Sequence, residues 1–316
     1  MYHKITPLII APIEQLSAED KNKIGILDFV SNRNKFFDPW GEEEFWREFC
    51  IAFPHLAEVV HMRKNLFSVG YLQSGSDNVG RIVKKIIPSE KNKLFVGLCL
   101  NEDYDKLPFD IKLKIAFHEV LHFMRLSGCK IESDDSPILF YTKEGHIVEK
   151  YDSSGERIDG FGQGLEEASV ESMALSAVQI HNINHEYVST KHPYSSLVYG
   201  FNKLKHLGFQ PLFEEIANTP IEECVNFYNR IFDCLYNEPT NEFDANYDNL
   251  CEAFDTLYFQ TLYGFLRGVL LEEMISKRND FFNNFELAIN NFTINVGKNA
   301  VWLDGEVVEK SSQSKR

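Results

Sequence analysis

Residues 109–126 read FDIKLKIAFHEVLHFMRL, and no other segment constrains the chain as strongly. Pro108 suits the start of a helix, and Asp110 places a negative charge at its positive end. The apolar residues Ile111, Leu113, Ile115, Ala116, Phe117, Val120, Leu121, Phe123, Met124 and Leu126 point in nearly every direction around such a helix. A helix that is apolar almost all round lies inside a fold. The expected helix runs from about Phe109 to Leu126 and stops at Ser127-Gly128, glycine being a natural C-terminal stop. Within it stand three ionisable residues, His118, Glu119 and His122. Buried ionisable groups are costly unless paired or metal-bound, so this trio needs a compensating partner.

The spacing His-Glu-x-x-His suggests what that partner is. Residues i and i+4 of a helix lie one above the other on the same face. Both imidazoles can therefore reach one ion, at about 2.0–2.1 Å for zinc. Glu119 sits on the adjoining helix surface, where it can act on a metal-bound water without binding the metal itself. Chance places such a motif in roughly one chain of this length in a hundred, so the buried context carries much of the argument. A His ten residues after His118 would extend the motif along the chain, but that position is Gly128.

Around this helix the pattern is mixed. LFVGLCL (94–100) has strand character, and ILFYT (138–142), Lys143-Glu144-Gly145 and HIVEKY (146–151) read as a β-hairpin. Residues 152–164 read as a Gly-rich loop. A second apolar helix, from about Leu165 to Gln179, carries Glu166, Glu167 and Glu171. Glu167 and Glu171 lie one turn apart, whereas the residue four after Glu166 is Val170. Residues 17–65 suggest helices with charged faces, and 194–207, 211–236 and 245–278 suggest further helices. The expected class is α+β. The expected parts are an N-terminal mixed lobe (1–93), a core (94–210), a mostly helical C-terminal lobe (211–309) and a disordered tail (310–316).

HEVLH, the hairpin and GLEEASVE together resemble the small bacterial and phage gluzincins, over about a third of the chain. Their second motif usually reads Asn-Glu-Gly-x-Thr-Glu. Here Glu166, Ala168 and Val170 replace its Asn, Gly and Thr, while both acids of the Glu-x-x-x-Glu pair are kept. The resemblance implies a zincin-like core and a zinc peptidase acting on peptide or protein substrates. It implies one zinc per chain held by His118, His122 and Glu167. Glu119 is then the general base, and Glu171 accepts the N–H of a ligand histidine, His118. It also implies a strand along the cleft just before the metal helix, where LFVGLCL stands. Tyr194, opening the helix after Glu171, is the favoured donor to the oxyanion, with Tyr187, His192 and Tyr199 as competitors. Two rivals remain: a non-catalytic zinc-binding interaction or regulatory protein, and a metal-dependent amidase with a non-peptide substrate.

Composition removes other classes. The net charge is −15, which disfavours nucleic acid and anionic membranes as partners. No apolar run approaches the ~20 residues that span a bilayer, and Leu8–Ile13 is too short for a secretory signal. The six cysteines are scattered without a CxxC pair, as expected of reduced thiols in a cytosolic chain. His181 and His185, with Glu186 following, are a weaker metal-spaced pair; His55 and His61 have no partner at metal spacing. No P-loop, GxGxxG or GxSxG motif occurs.

Overall fold

A computed structural model describes residues 3–23, 36–38, 40–71, 80–87, 92–101, 103–133, 136–180, 194–226, 242–266, 271–303 and 306–309. The architecture mixes helix and strand, as an α+β chain should. The elements in order are β1 (His3–Pro7), β2 (Ile9–Pro12), α1 (Ala18–Lys23), α2 (Glu42–Ala52), α3 (Ala57–Arg63), β3 (Val69–Tyr71), β4 (Gly80–Ile86), β5 (Lys93–Leu100) and α4 (Phe109–Met124). Then follow β6 (Leu126–Ser133), β7 (Ser136–Glu144), β8 (Ile147–Tyr151), β9 (Arg157–Phe161) and α5 (Gln163–Ile180). The remainder is α6 (Ser195–Leu204), α7 (Gln210–Asn218), α8 (Glu242–Leu266), α9 (Leu271–Asn299) and a short pair, β10 (Ala300–Leu303) with β11 (Glu306–Glu309).

The chain divides into two compact units that interleave in sequence. Unit one comprises Met1–Glu144, Lys150–Ile158 and Met173–Lys191; unit two comprises Gly145–Glu149, Asp159–Ser172 and His192–Arg316.

One sheet lies wholly in unit one, and strands β1, β6 and β7 of a second lie there too. In the first, β5 is central: β2 pairs with its residues 93–96 and β3 with 98–100, both parallel, while β4 pairs antiparallel along 94–100. Because β4 shares β5 residues with both others, β2 and β3 must lie end to end on the opposite edge. Seven of the eight β5 residues are buried, which explains the unbroken apolar run LFVGLCL. The second sheet has the order β1-β6-β7-β8-β9. The N-terminus feeds both: β1 pairs with β6, Leu8 N–H bonds Gly128 C=O at 2.7 Å, and β2 then joins β5.

Three expectations need correction here. Helix α4 ends at Met124, and Ser127-Gly128 belongs to strand β6 instead of stopping a helix. Gly128 is there because Leu8, Leu94 and the Tyr141 carbonyl already fill the space of a Cβ. Residues 157–161 of the presumed Gly-rich loop form strand β9. The presumed single helix 245–278 is two helices, α8 and α9. The tail 310–316 and the segment 227–236 lie outside the described residues.

An aromatic cluster anchors α4. The Phe117 ring centroid lies 5.5 Å from Phe45 and 6.0 Å from both Phe49 and Phe53; Phe123 lies 5.2 Å from Phe67. Leu113, Phe117, Val120, Leu121 and Met124 share one side of the helix at 100° per residue, and all are buried. His118 and His122 fall nearly opposite. At its C-terminal end, Arg63 Nη1 donates to the Met124 carbonyl at 3.0 Å and also to the Leu126 carbonyl. The Met124 carbonyl is one that a helix end leaves without an internal donor.

Unit two is mostly helical. Its core includes Phe201, Phe213, Phe254, Phe285 and Phe292, with Phe254 and Phe285 4.6 Å apart. The start of α5 is held by α8: the Asp255 carboxylate accepts the Gly162 N–H at 2.7 Å and the Gly164 N–H at 2.6 Å. Gly164 admits this approach, since a Cβ there would stand 2.2 Å from the Phe254 carbonyl oxygen.

Candidate metal centre

The two histidines of α4 converge as their spacing predicts. Both are buried, and their Nε2 atoms lie 3.1 Å apart. Two nitrogens each about 2.0–2.1 Å from one tetrahedral zinc stand about 3.3–3.4 Å apart, so the observed separation fits a shared ion after a small adjustment.

Behind His122 stands a residue that spacing did not reveal. His122 Nδ1 lies 3.1 Å from Glu144 Oε1, and Glu144 Oε2 lies 2.9 Å from Lys84 Nζ. Burial alone would push the Glu144 carboxyl up, but Lys84 and His122 outweigh it and hold it below the usual carboxylate range. A carboxylate this close to Nδ1 favours the tautomer that carries its proton there and presents the Nε2 electron pair. Metal-bound histidines are oriented in this way by carboxylates.

Glu119 is buried on the same helix, beside the first residue of β4. A Cβ at Gly80 would lie 3.5 Å from both Glu119 Cγ and Oε1, so glycine leaves that flank of the carboxylate without a side chain. β4 also corrects the expectation about the cleft strand. β5, the strand suggested by LFVGLCL, is paired on both edges and has no edge to offer. Among the described residues β4 pairs with β5 alone, so β4 is an edge strand.

On α5, Glu167 is half-buried and Glu171 is fully buried. Glu167 belongs to unit two, whereas His118 and His122 belong to unit one. Glu166, the residue before Glu167, is fully buried, and its Oε2 accepts the backbone N–H of His146 at 2.9 Å. Its carboxylate is therefore committed to the turn between β7 and β8.

Tyr194 immediately precedes α6, and its ring stacks on Tyr258 at 5.9 Å. Tyr199 is largely exposed on α6. His181, His185, Glu186, Tyr187 and His192 lie outside the described residues. His61 stands on α3 and His55 in the turn before it. Cys50, Cys99, Cys129, Cys224 and Cys251 are free thiols. No described helix is long and apolar enough to cross a membrane.

Lys84 and Glu144 were missed because both are distant from the motif in sequence. The only local hint was the acid in the turn Lys143-Glu144-Gly145, a position that ordinarily signals nothing beyond a solvated turn. No protein-family model, no curated protein and no solved structure matches this chain.

Proposed function

We propose that this protein is a zinc-dependent peptidase with a zincin-like core, its metal held by His118, His122 and Glu167. The observation that carries the reading is the His118/His122 pair, with Nε2 atoms 3.1 Å apart and Glu144 braced behind His122. Two buried histidines alone would be a packing feature; an ionised carboxylate orienting one of them is what a metal ligand needs. Glu167, half-buried one turn before the buried Glu171 on α5, is assigned as the third donor. Three protein ligands leave a position for water, as catalytic rather than structural zinc requires.

A zinc ion supplies Lewis acidity and lowers the pKa of a coordinated water to near 7. The remaining work falls to the chain. Glu119, which is assigned no ligand role, takes the proton of the attacking water on its carboxylate and passes it to the leaving amine. Edge strand β4, beginning at Gly80 beside Glu119, receives an extended substrate by backbone hydrogen bonding, which binds peptides without demanding one sequence. Glu171 is assigned to orient His118, as Glu144 orients His122. Tyr194 is assigned to share the charge that develops on the carbonyl oxygen.

The test combines metal content with proteolysis. Purified protein should carry about one zinc per chain, and Glu167→Ala should bind it far more weakly. An unstructured peptide pool, with new N-termini read by mass spectrometry, should be cleaved by wild type. Glu119→Gln should cut it about 10²–10⁴-fold more slowly with zinc retained. Cleavage by Glu119→Gln at the wild-type rate would overturn the mechanism. Zinc binding without any hydrolysis, identical in both proteins, would favour a non-catalytic zinc module.

A further inference from the structure

The turn joining β7 to β8 touches both helices of the proposed centre through three consecutive residues. Glu144 pairs with His122, the second histidine of α4. Gly145 has a φ of +60°. His146 donates its backbone N–H to Glu166 on α5, the residue before Glu167. Gly145 is required here twice over. Its left-handed conformation disfavours other residues, and a Cβ would come within 2.0–2.1 Å of the Glu166 carboxylate atoms. The carboxylate thus fills the space where a side chain would be, and it bonds the next residue's N–H.

We propose that Glu166 is a positioning residue: it clamps the Glu144-Gly145-His146 turn and thereby fixes the carboxylate that orients His122. The inference rests on the metal reading above. Neighbouring residues of a helix project about 100° apart. Glu167 can therefore serve as a ligand while Glu166 turns toward the hairpin. Peptide planarity and fixed Cα spacing leave little slack between the held His146 N–H and the Glu144 backbone. A turn released from Glu166 moves Glu144 against His122, and a misaligned imidazole binds metal less well. The buried His146 N–H needs a permanent acceptor where water is excluded, and the Glu166 carboxylate supplies it.

Zinc affinity by chelator competition and the visible spectrum of the cobalt-substituted protein are the readouts, beside the melting temperature of the metal-free protein. Glu166→Ala and Gly145→Ala should each weaken zinc about 10–100-fold and alter the cobalt spectrum. Glu166→Gln keeps an oxygen for the His146 N–H and should stay within about threefold of wild type. The double variant Gly145→Ala/Glu166→Ala should be no worse than the weaker single, because both break one clamp. The proposal is overturned if Glu166→Ala and Gly145→Ala lower the melting temperature but leave zinc affinity and the cobalt spectrum unchanged. If Glu166→Ala does not fold, Gly145→Ala compared with Glu166→Gln decides by the same readouts. Wild type that binds neither zinc nor cobalt removes the metal reading itself, and the clamp with it.

Discussion

Replacing Glu144 separates what the buried ion pair does for stability from what it does for the metal. In Glu144→Ala, Lys84 keeps its charge at a side-chain exposure of 11%, and both Lys84 and His122 Nδ1 lose the neighbouring carboxylate. Removing one member of a buried pair typically costs about 3–5 kcal/mol. Lysine can partly extend its ammonium toward water, so about 3 kcal/mol is expected in this case. That is tolerable for a chain whose total stability is on the order of 5–15 kcal/mol. Loss of the orienting carboxylate should weaken zinc about 10–100-fold, or about 1.4–2.7 kcal/mol. The two effects come apart in Lys84→Met/Glu144→Gln. Both charges are then gone, and stability should return to within about 1 kcal/mol of wild type. The neutral amide oxygen still accepts from Nδ1, but such a bond is only about half as strong as one to a carboxylate, so zinc should remain up to about tenfold weaker. Urea unfolding of the metal-free proteins measures the first quantity and chelator competition the second. Wild-type zinc affinity in folded Glu144→Ala would refute the claim that this carboxylate prepares His122.

Two further outcomes follow from packing. Phe117 is fully buried among Phe45, Phe49 and Phe53, so Phe117→Ala should cost about 3–5 kcal/mol in denaturant unfolding. A loss under 1 kcal/mol would mean that the aromatic cluster does not anchor α4. Burial pushes the Cys99 thiol up to about 12, against the smaller opposing effect of Arg81, so the native protein at neutral pH holds it as the unreactive thiol. Iodoacetamide mapping should label Cys50 in the native state and Cys99 only after unfolding; early labelling of Cys99 would contradict the β5 burial.

How far the site could be read from sequence depends on how its parts are joined. The His118/His122 pair is legible because a helix fixes i and i+4 on one face, and the apolar residues around it by themselves imply burial. The same regularity marked Glu167 and Glu171 as one pair, and alternation around a glycine turn marked the β7–β8 hairpin. The spacing favours Glu167 over Glu166 because Val170 stands four residues after Glu166; that local rule carries no information about the His146 N–H. Strand β5 was recognisable, but its neighbours were not. Which of β2, β3 and β4 takes each edge follows from long-range pairing, so the exposed edge was misassigned to β5.

The sequence by itself determined the chemistry that lies within one turn of helix: two histidines, a glutamate between them, and a second acid pair on a buried helix. Only the tertiary structure decided which carboxylate stands behind His122, which lysine stands behind that carboxylate, and which strand borders Glu119. Helical neighbours are fixed by a backbone repeat that any reader of the chain can count. Lys84, Glu144 and His122 meet because two strands and a helix pack in one register, and that register is set by the whole of the surrounding core.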